Sequence, residues 1–515
     1  MVDAVPRPTG QTPPPLPRPD VLIAQSKRLA EIPGLTEQAL RWQADAVGQR
    51  RTVARDARDL ATPRIWPDTI ASLASTGWRM FSTAAPEAPF QLLAAAAAAV
   101  GLRVEAPNTS QGTLDRVEKL VRAGGPAYIK LGQFIATAHG LLPDEWVEAF
   151  AWCRDEAPPL RPGVAQKVID HELGDARSRL VWLDDEPLAA GSIGQVHRGR
   201  LDDGTEVVVK VRRPRLRGKF RADIETLAIA AAAAERLHPA AKQAGVRGFV
   251  ELFAQLALQE LDFRMEAANL VESTAVLEDL GADTMFAPRP IPGMVTSRVL
   301  VMEFLPGVSY AKLPPGNAID GDDLFYRGIK GVLEATLMYG MFHGDLHAGN
   351  VLIDVDHSNF SLVDFGIAGR LDAAQRAGLV QFLAAFAASD ARAQVAAMQT
   401  FGAIDADADL DELVAQLQKE VDAIDSRERG TVTFDELGMT LGRLIMVLAS
   451  NGFRMPKELV LFFKNLLYLS GFAASVAPEA DVLDVVQRIL LELLTGDANA
   501  LTALLAGGET GDPDP

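Results

Sequence analysis

Two polar segments in the second half of the chain, HGDLHAGN and VDFG, limit the folds that this sequence can adopt. Asp345 and Asn350 in the first segment lie five positions apart, and Asp364 in the second follows Asn350 by fourteen positions. An aspartate can orient or deprotonate a hydroxyl group, while an asparagine amide oxygen and a carboxylate are ligands that Mg²⁺ prefers. The spacing predicts that a short hairpin returns Asp364 to the cleft that holds Asp345 and Asn350.

The first segment also permits a different interpretation. His343 and His347 have the i,i+4 spacing of the histidine pair in an H-E-x-x-H zinc helix. Here, however, Gly344 and Asp345 lie between the histidines, and no glutamate stands where the general base of such a site belongs. The D-x-x-x-x-N spacing of a kinase catalytic loop accounts for more of the segment.

A third segment, VVVK, contributes a candidate cation. If it is a strand, Val207, Val209 and Val211 share one face, and Lys210 lies on the opposite face. In a kinase sheet, a lysine at this point neutralises the α- and β-phosphates of ATP. A single strand lysine is more often exposed to solvent, so Lys210 is a candidate site residue only in combination with the other segments.

A run of small residues precedes this lysine by one hairpin. Small side chains let backbone N–H groups approach phosphates closely, although such a run is also typical of a simple hairpin bend. No Walker A sequence occurs in the chain. The candidate phosphate-loop residues are Ala189, Ala190, Gly191, Ser192 and Gly194.

The segment QELDFRMEAANL supplies acidic partners. Glu260, Asp262 and Glu266 fall on a helical run, and Glu266 is the natural partner of Lys210 because the helix continues beyond it. The alternative for these acids is a solvated helix face.

The overall pattern predicts an α+β fold of two lobes, like that of protein kinases. Strand-like runs are concentrated after Val181, and the rest of the chain is mainly helical in pattern. The formal net charge of −18 disfavours nucleic-acid binding. The single cysteine, Cys153, permits no intramolecular disulfide, which fits the cytoplasm.

Five regions are expected along the chain, and neither of two apolar runs predicts a bilayer span. The run Pro89–Leu102 is too short, and the C-terminal run is interrupted at Gly496. Membrane contact is therefore expected to be peripheral at most. The regions are a proline-rich tail (1–20), a helical extension (21–180), a small lobe (181–305), a helical lobe (306–495) and an acidic tail (496–515).

Six segments together resemble the UbiB/AarF/ADCK family of atypical kinases. They are GPAYIKLGQF, PLAAGSIGQVH, VVVKVRRP, ELDFRMEAANL, HGDLHAGN and VDFG. The resemblance covers roughly Thr113 to Asp481 and includes the order of the segments.

The resemblance implies a helical extension that covers the active-site cleft and carries a K-x-G-Q motif, here Lys130, Gly132 and Gln133. Lys130 would reach the cleft and meet Glu260 and Asp262. A glycine inside a helix costs up to about 1 kcal/mol relative to alanine, so Gly132 is expected where another backbone approaches closely.

The resemblance also implies how nucleotide is bound. Lys210 would pair with Glu266, and an adenine hinge would consist of Met302, Glu303 and Phe304. The implied cofactors are ATP and Mg²⁺. The family's phosphate loop usually carries alanine at the third position, where this chain has Gly191, so ADP is an alternative nucleotide.

A covered cleft favours an ATPase or a lipid-related phosphotransferase, and the family is associated with isoprenoid-quinone metabolism. The expected partners are therefore nucleotide, an isoprenoid lipid and quinone-biosynthesis proteins. Two alternatives remain at this point. One is a small-molecule phosphotransferase like the aminoglycoside and choline kinases, and the other is a nucleotide-binding scaffold without catalysis.

Overall fold

The computed structural model describes residues 18–62, 114, 118–119, 121–122, 126–136, 144–154, 158–237, 246–314, 319–388, 390–401, 410–425, 456–478, 480 and 482–496. The apolar run 89–102, most of the proline-rich tail and nearly all of the acidic tail lie outside these residues.

Helices form most of the described part of the first 180 residues, in keeping with their alanine- and leucine-rich sequence. The longest one follows Gly34, whose φ of 79° suits glycine. The helices are α1 (Pro19–Gln25), α2 (Lys27–Ala30), α3 (Leu35–Ala61), α4 (Pro126–Ala136), α5 (Asp144–Ala149) and α6 (Val164–Leu173), with 3₁₀ turns at Ala151–Arg154 and Gly174–Arg179.

An antiparallel sheet forms the smaller lobe. Its strands are β1 (Leu180–Leu183), β2 (Ala189–Ala190), β3 (Gly194–Leu201), β4 (Glu206–Arg212), β6 (Pro290–Val295) and β7 (Val299–Glu303). The order is β1-β3-β4-β7-β6, and β2 pairs with β3. In β4, Val207, Val209 and Val211 are buried while the residues between them are half-buried. This alternation fixes the face on which Lys210 lies.

Among the described residues between β4 and β6, three helices connect the two halves of this sheet: α7 (Leu216–Leu237), α8 (Val246–Gln259) and α9 (Phe263–Asp279). The side chain of Asp262 caps α9 by accepting a hydrogen bond from the backbone N–H of Arg264. Helix α9 contacts α3 on one side and β6 and β7 on the other. As a result it is buried along nearly its whole length.

The larger lobe is mainly helical, with two small sheets at its junction with the smaller lobe. Their strands are β5 (Met285–Phe286), β8 (Val308–Ser309), β9 (Met341–His343), β10 (Val351–Asp354), β11 (Asn359–Leu362) and β12 (Ala368–Arg370). One sheet has the order β5-β11-β10-β8, and the other pairs β9 with β12. The helices are α10 (Gly321–Tyr339), α11 (Ala373–Ala387), α12 (Ala391–Thr400), α13 (Leu410–Asp425), α14 (Lys457–Val476) and α15 (Val482–Gly496), with 3₁₀ turns at Tyr310–Lys312 and Ala348–Asn350.

One glycine links the end of α10 to the strand pair next to the HGDLHAGN segment. Gly340 ends α10 with a φ of 68°, and a Cβ atom there would lie 2.4 Å from the carbonyl oxygen of Leu371. Only glycine satisfies both constraints. Strand β9 therefore begins immediately after Gly340 and leads into the HGDLHAGN segment.

The hydrophobic cores show how the extension is attached. Residues of α1 and α3, among them Ile23 and Leu35, belong to the same core as α9 and the larger lobe. Helix α4 shares a second core with α7 and α8, and a third core lies between the sheet and α6. The chain thus has a two-lobed α+β, protein-kinase-like fold with a helical extension packed on it, as the order of motifs predicted.

In the part of the chain that the structure describes, α14 alone is long and apolar enough to cross a membrane. Core helices of globular proteins share this length and composition, and 60% of the apolar window of α14 is buried in the fold. Helix α14 also packs against α10, β12 and the turn that ends at Asn350.

Candidate active site

The small-residue segment forms a tight turn at the edge of the sheet. Ala189 and Ala190 form β2, and the N–H of Gly191 donates to the carbonyl oxygen of Gly194 at 2.8 Å. A Cβ atom on Gly194 would lie 2.4 Å from the carbonyl oxygen of Val211, whereas one on Gly191 would meet only the Gly194 oxygen at 3.8 Å. Glycine is therefore required by close packing at position 194, while position 191 has room for alanine.

Lys210 lies at the centre of the cleft, between two carboxylates. Its Nζ atom is 2.9 Å from Oε1 of Glu266 and 2.9 Å from Oδ1 of Asp364. Burial works against the charged lysine, but the carboxylates of Asp364 and Glu266 outweigh it and raise the pKa of Lys210. The three residues come from β4, α9 and the segment after β11, so this contact joins the two lobes.

The two carboxylates differ in their pKa. Burial raises the pKa of Glu266 to about 7, against the attraction of Lys210. Burial also disfavours the charged form of Asp364, yet the positive charge of Lys210 lowers the pKa of Asp364 to about 2. The shared lysine therefore favours the ionised aspartate over the ionised glutamate.

The backbone at Asp364 is left-handed, with a φ of 61°. A non-glycine residue in this region costs about 1–3 kcal/mol, and such residues cluster at functional sites. The neighbouring Phe365 is buried, its ring lies 4.5 Å from that of His343, and its carbonyl oxygen accepts a hydrogen bond from Nδ2 of Asn269 at 2.8 Å. These contacts hold the Asp364 carboxylate toward the cleft.

The side chains of His343 and Asn350 form hydrogen bonds with backbone groups in and next to the loop at residues 343–350, which is called the catalytic loop below by analogy with kinases. Nε2 of His343 lies 3.0 Å from the carbonyl oxygen of Val363, and its Nδ1 accepts the N–H of Asp345 at 3.0 Å. Both nitrogens of His343 are thus used by backbone groups, which argues against a zinc pair with His347. Among the described residues, no group of three or more His, Cys, Asp or Glu could hold a metal ion.

The side-chain amide N–H of Asn350 donates a hydrogen bond to the carbonyl oxygen of Asp345 at 2.9 Å. This hydrogen bond orients the side chain, so that the amide oxygen is the atom able to bind a cation. The carbonyl oxygen of Asn350 accepts the N–H of Val363, one residue before Asp364. Asn350 and Asp364 therefore supply the hard oxygen donors that suit Mg²⁺.

The extension reaches the cleft through α4. Nζ of Lys130 lies 2.7 Å from Oε1 of Glu260, and the hydroxyl of Ser192 donates to Oε1 of Gln133 at 3.2 Å. Burial raises the pKa of Glu260, against the charge of Lys130. The K-x-G-Q segment thus contacts both the phosphate-loop turn and an acid at the cleft.

Two expectations about this segment need correction. Asp262 does not share Lys130 with Glu260, because its carboxylate caps α9 and pairs with Arg264 at 2.6 Å. The close neighbours of Gly132 are side chains rather than a backbone: a Cβ atom there would lie 2.3 Å from Sγ of Cys153 and 2.9 Å from Cγ1 of Val121.

The expected hinge lies at the end of β7. The N–H of Glu303 donates to the carbonyl oxygen of Arg289 at 3.0 Å, and the N–H of Phe304 donates to the carbonyl oxygen of Glu206 at 3.1 Å. The Glu303 carboxylate binds the Arg289 guanidinium at 2.6 Å. Since these N–H groups are used within the fold, other atoms near Met302 would have to bind an adenine edge.

The structure adds a residue that the sequence analysis missed. Lys464 of α14 places Nζ 2.8 Å from Oδ1 of Asp345. The desolvation of Asp345 is outweighed by Lys464 and its other cationic neighbours, so the pKa of Asp345 is lowered. The only signal in the sequence is one lysine and one asparagine within the apolar run LVLFFKNLLYL.

Comparisons with known proteins agree with this geometry. A family model described as the ABC1 atypical kinase-like domain matches residues 153–398. The chain is 31% identical over 392 residues to an uncharacterized, chloroplastic aarF domain-containing protein kinase of Arabidopsis thaliana, covering 71% of this chain and 72% of that protein. It is also 31% identical over 373 residues to a probable protein kinase UbiB of Pseudomonas aeruginosa, covering 71% and 69%.

A solved structure is also similar: a Mycobacterium tuberculosis protein in complex with erythromycin, at a TM-score of 0.40 and 21% identity, covering 71% of this chain and 96% of that one. The motifs, the family model and the relatives agree with one another, and the chain belongs to the UbiB/AarF/ADCK family of atypical kinases.

Proposed function

We propose that this protein is a Mg-ATP-dependent phosphotransferase or ATPase of the UbiB type. The observation that carries the proposal is the contact of Lys210 with both Glu266 and Asp364, at 2.9 Å each. A lysine held in this way is the phosphate-binding group of kinases. The segment that carries Asp364 is in turn hydrogen-bonded to Asn350 through the N–H of Val363.

The residues have separate roles in the proposed reaction. Asp345 accepts the proton of a water molecule or hydroxyl group, whose O–H bond breaks as its oxygen bonds to the γ-phosphorus. The bond from the γ-phosphorus to the β,γ-bridging oxygen breaks, and ADP leaves with that electron pair. Lys210 and the turn at residues 189–194 hold the phosphates, and Glu266 holds Lys210.

A divalent cation fits the donor set of the cleft. Asn350 and Asp364 would hold Mg²⁺, which when bound neutralises the charge of the phosphates. The orientation of the Asn350 amide, fixed by the carbonyl oxygen of Asp345, leaves oxygen rather than nitrogen for the cation.

The contact between Lys130 and Glu260 supports an acceptor other than a general protein substrate. It places the extension at the cleft, where a peptide would have to enter. Together with the UbiB name of a relative, this supports the proposed role in isoprenoid-quinone or membrane-lipid homeostasis. Peripheral membrane contact and a cytoplasmic location are part of the same proposal.

The test is release of phosphate from Mg-ATP by the purified full-length chain, with and without detergent-solubilised isoprenoid-quinone precursors. We expect the wild type to turn over and Asp364→Asn to lose about 10²–10³-fold in kcat, because a group that stabilises transition-state charge is removed. Asp356→Asn, an exposed aspartate in the turn before Asp364, is the matched control and should retain full activity.

Each outcome separates the candidates. Turnover that lipid changes supports the UbiB-type role, while transfer of phosphate to an aminoglycoside or choline would support the small-molecule phosphotransferase. A wild type that binds Mg-ATP without turnover, with and without lipid, would contradict the proposal and favour a scaffold.

A further inference from the structure

Lys464 is a buried cation in an otherwise apolar helix segment. Its side chain is 8% exposed, and its Nζ atom lies 5.4 Å from the ring centroid of Tyr468. Removing an ammonium group from water costs several kcal/mol unless a partner compensates for it. The compensating partner is the carboxylate of Asp345, at 2.8 Å.

The next residue, Asn465, contacts the same loop on both sides of Asp345. Oδ1 of Asn465 accepts the N–H of Leu346 at 3.1 Å, and its Nδ2 donates to the carbonyl oxygen of His343. Helix α14 therefore holds the loop at three points: the backbone before Asp345, the backbone after it and the carboxylate itself.

The catalytic loop has no lysine or arginine of its own, since residues 341–353 read MFHGDLHAGNVLI. Two other described lysines at the cleft have different partners: Lys130 contacts Glu260, and Lys210 contacts Glu266 and Asp364. Among these three lysines, Lys464 is the one that forms a direct ion pair with Asp345.

The geometry gives the two oxygens of Asp345 different surroundings. Oδ1 faces Lys464, while Oδ2 lies 4.0 Å from Nε2 of His347, whose side chain is 43% exposed. Oδ2 thus points to the accessible side of the cleft. An acceptor would meet this oxygen.

We propose that Lys464 is a positioning residue for phosphoryl transfer: it holds Oδ1 of Asp345 against α14 so that Oδ2 faces the attacking oxygen. The inference rests on the proposed function. It also extends the functional unit beyond the matched kinase-like domain, which ends at residue 398, to a helix that follows it in the chain.

The test compares Lys464→Met, Lys464→Arg, Asp345→Asn and the double variant Asp345→Asn/Lys464→Met in the full-length chain. We expect Lys464→Met to lower kcat for phosphate release about 100-fold, the scale of a misplaced catalytic group, with the KM for Mg-ATP changed less than about threefold. Lys464→Arg should recover most of the loss because it restores a cation. Lys457→Met, on the same helix, is the control and should leave kcat unchanged.

The double variant separates positioning from packing. If Lys464 acts through Asp345, the double variant will have the same kcat as Asp345→Asn alone, because the effects of residues that work as a unit are not additive. This comparison remains valid if Lys464→Met alone fails to fold, since the double variant leaves no buried carboxylate without its cation.

Two results would overturn the inference while leaving the proposed function intact. One is an active wild type whose kcat is unchanged by Lys464→Met. The other is a double variant that loses the product of the two single effects. A wild type that never turns over Mg-ATP would instead remove the proposed function, and the positioning role with it.

Discussion

Two buried glutamates on the same helix, Glu266 and Glu272, have opposite electrostatic surroundings. Glu266 faces the cleft and has one cation, Lys210, which it shares with Asp364. Glu272 faces α3 and β12: Arg370 of β12 lies at 2.5 Å, Gln43 of α3 donates at 2.9 Å and Arg50 of α3 lies at 3.8 Å. Burial raises the pKa of Glu266 to about 7. At Glu272 burial acts in the same direction but Arg370 and Arg50 outweigh it, so its pKa is lowered.

The difference shows at which of the two sites the side chains of the protein balance the carboxylate charge. At Glu272 the cations of α3 and β12 balance the carboxylate, so this cluster joins the extension, α9 and the strand after Asp364 as a structural unit. In the cleft, two carboxylates share one lysine. A divalent cation at Asp364, as proposed above, would supply the positive charge that this pair of carboxylates lacks.

The largest effect that should separate the two glutamates is on stability. Glu272→Gln removes a buried charge that pairs with the half-buried Arg370, and we expect it to lower the free energy of unfolding by about 3 kcal/mol. Glu266→Gln should change it by less than about 1 kcal/mol at pH 7, because Glu266 is already partly protonated and Lys210 keeps Asp364. Thermal or urea unfolding of both variants measures this, and equal losses would contradict the comparison.

A smaller effect should appear in the pH dependence. The folded pKa of Glu266, about 7, exceeds its ordinary value of 4.5, so the folded protein retains a proton that the unfolded chain has released. The free energy of unfolding therefore falls as pH rises from about 4.5 to 7 and somewhat beyond. Between pH 6 and pH 8, wild type should lose about 1 kcal/mol relative to Glu266→Gln.

The control for this effect is Glu272. Its lowered pKa means that its stabilising contribution is present above pH 4.5 and is lost only as the pH falls through its folded pKa. The difference between wild type and Glu272→Gln should therefore stay constant from pH 6 to pH 8. A parallel change in both variants would show that other groups cause the pH dependence.

The smallest effect is expected at the extension. Lys130→Ala removes the contact with Glu260 and frees the cleft, and we expect phosphate release to rise a few-fold, worth less than about 1 kcal/mol in the barrier. Lys119→Ala, at an exposed position of the extension, is the matched control. A loss of activity in Lys130→Ala would mean that Lys130 assists turnover rather than restraining it.

The sequence was most informative where chemistry is encoded by short spacings. The alternation in β4 and each of the motifs depend only on residues that are close in the sequence. Together with the order of the motifs along the chain, they were sufficient to predict the two-lobed fold. The partner of Asp262 was missed because Arg264, two residues away, competes with the more distant Lys130.

Lys464 could not be identified from sequence for a related reason. It lies 119 positions after Asp345, and a single lysine in an apolar helix has no spacing that points to a partner. Similarly, the neighbours of Gly132 are set by the packing of α4 on the turn at residues 151–154, which no local pattern specifies.

The three contacts from Lys464 and Asn465 of α14 to the catalytic loop can form only late in the synthesis of the chain. A chain leaves the ribosome from its N-terminus, so the segments that carry Lys210, Asp345 and Asp364 emerge well before Lys464 and Asn465. Until α14 follows, the loop lacks the contacts at His343, Asp345 and Leu346 that hold it in place. The nascent chain therefore contains Lys210 and Asp364 before it contains the helix whose side chains hold the backbone and carboxylate of the Asp345 loop.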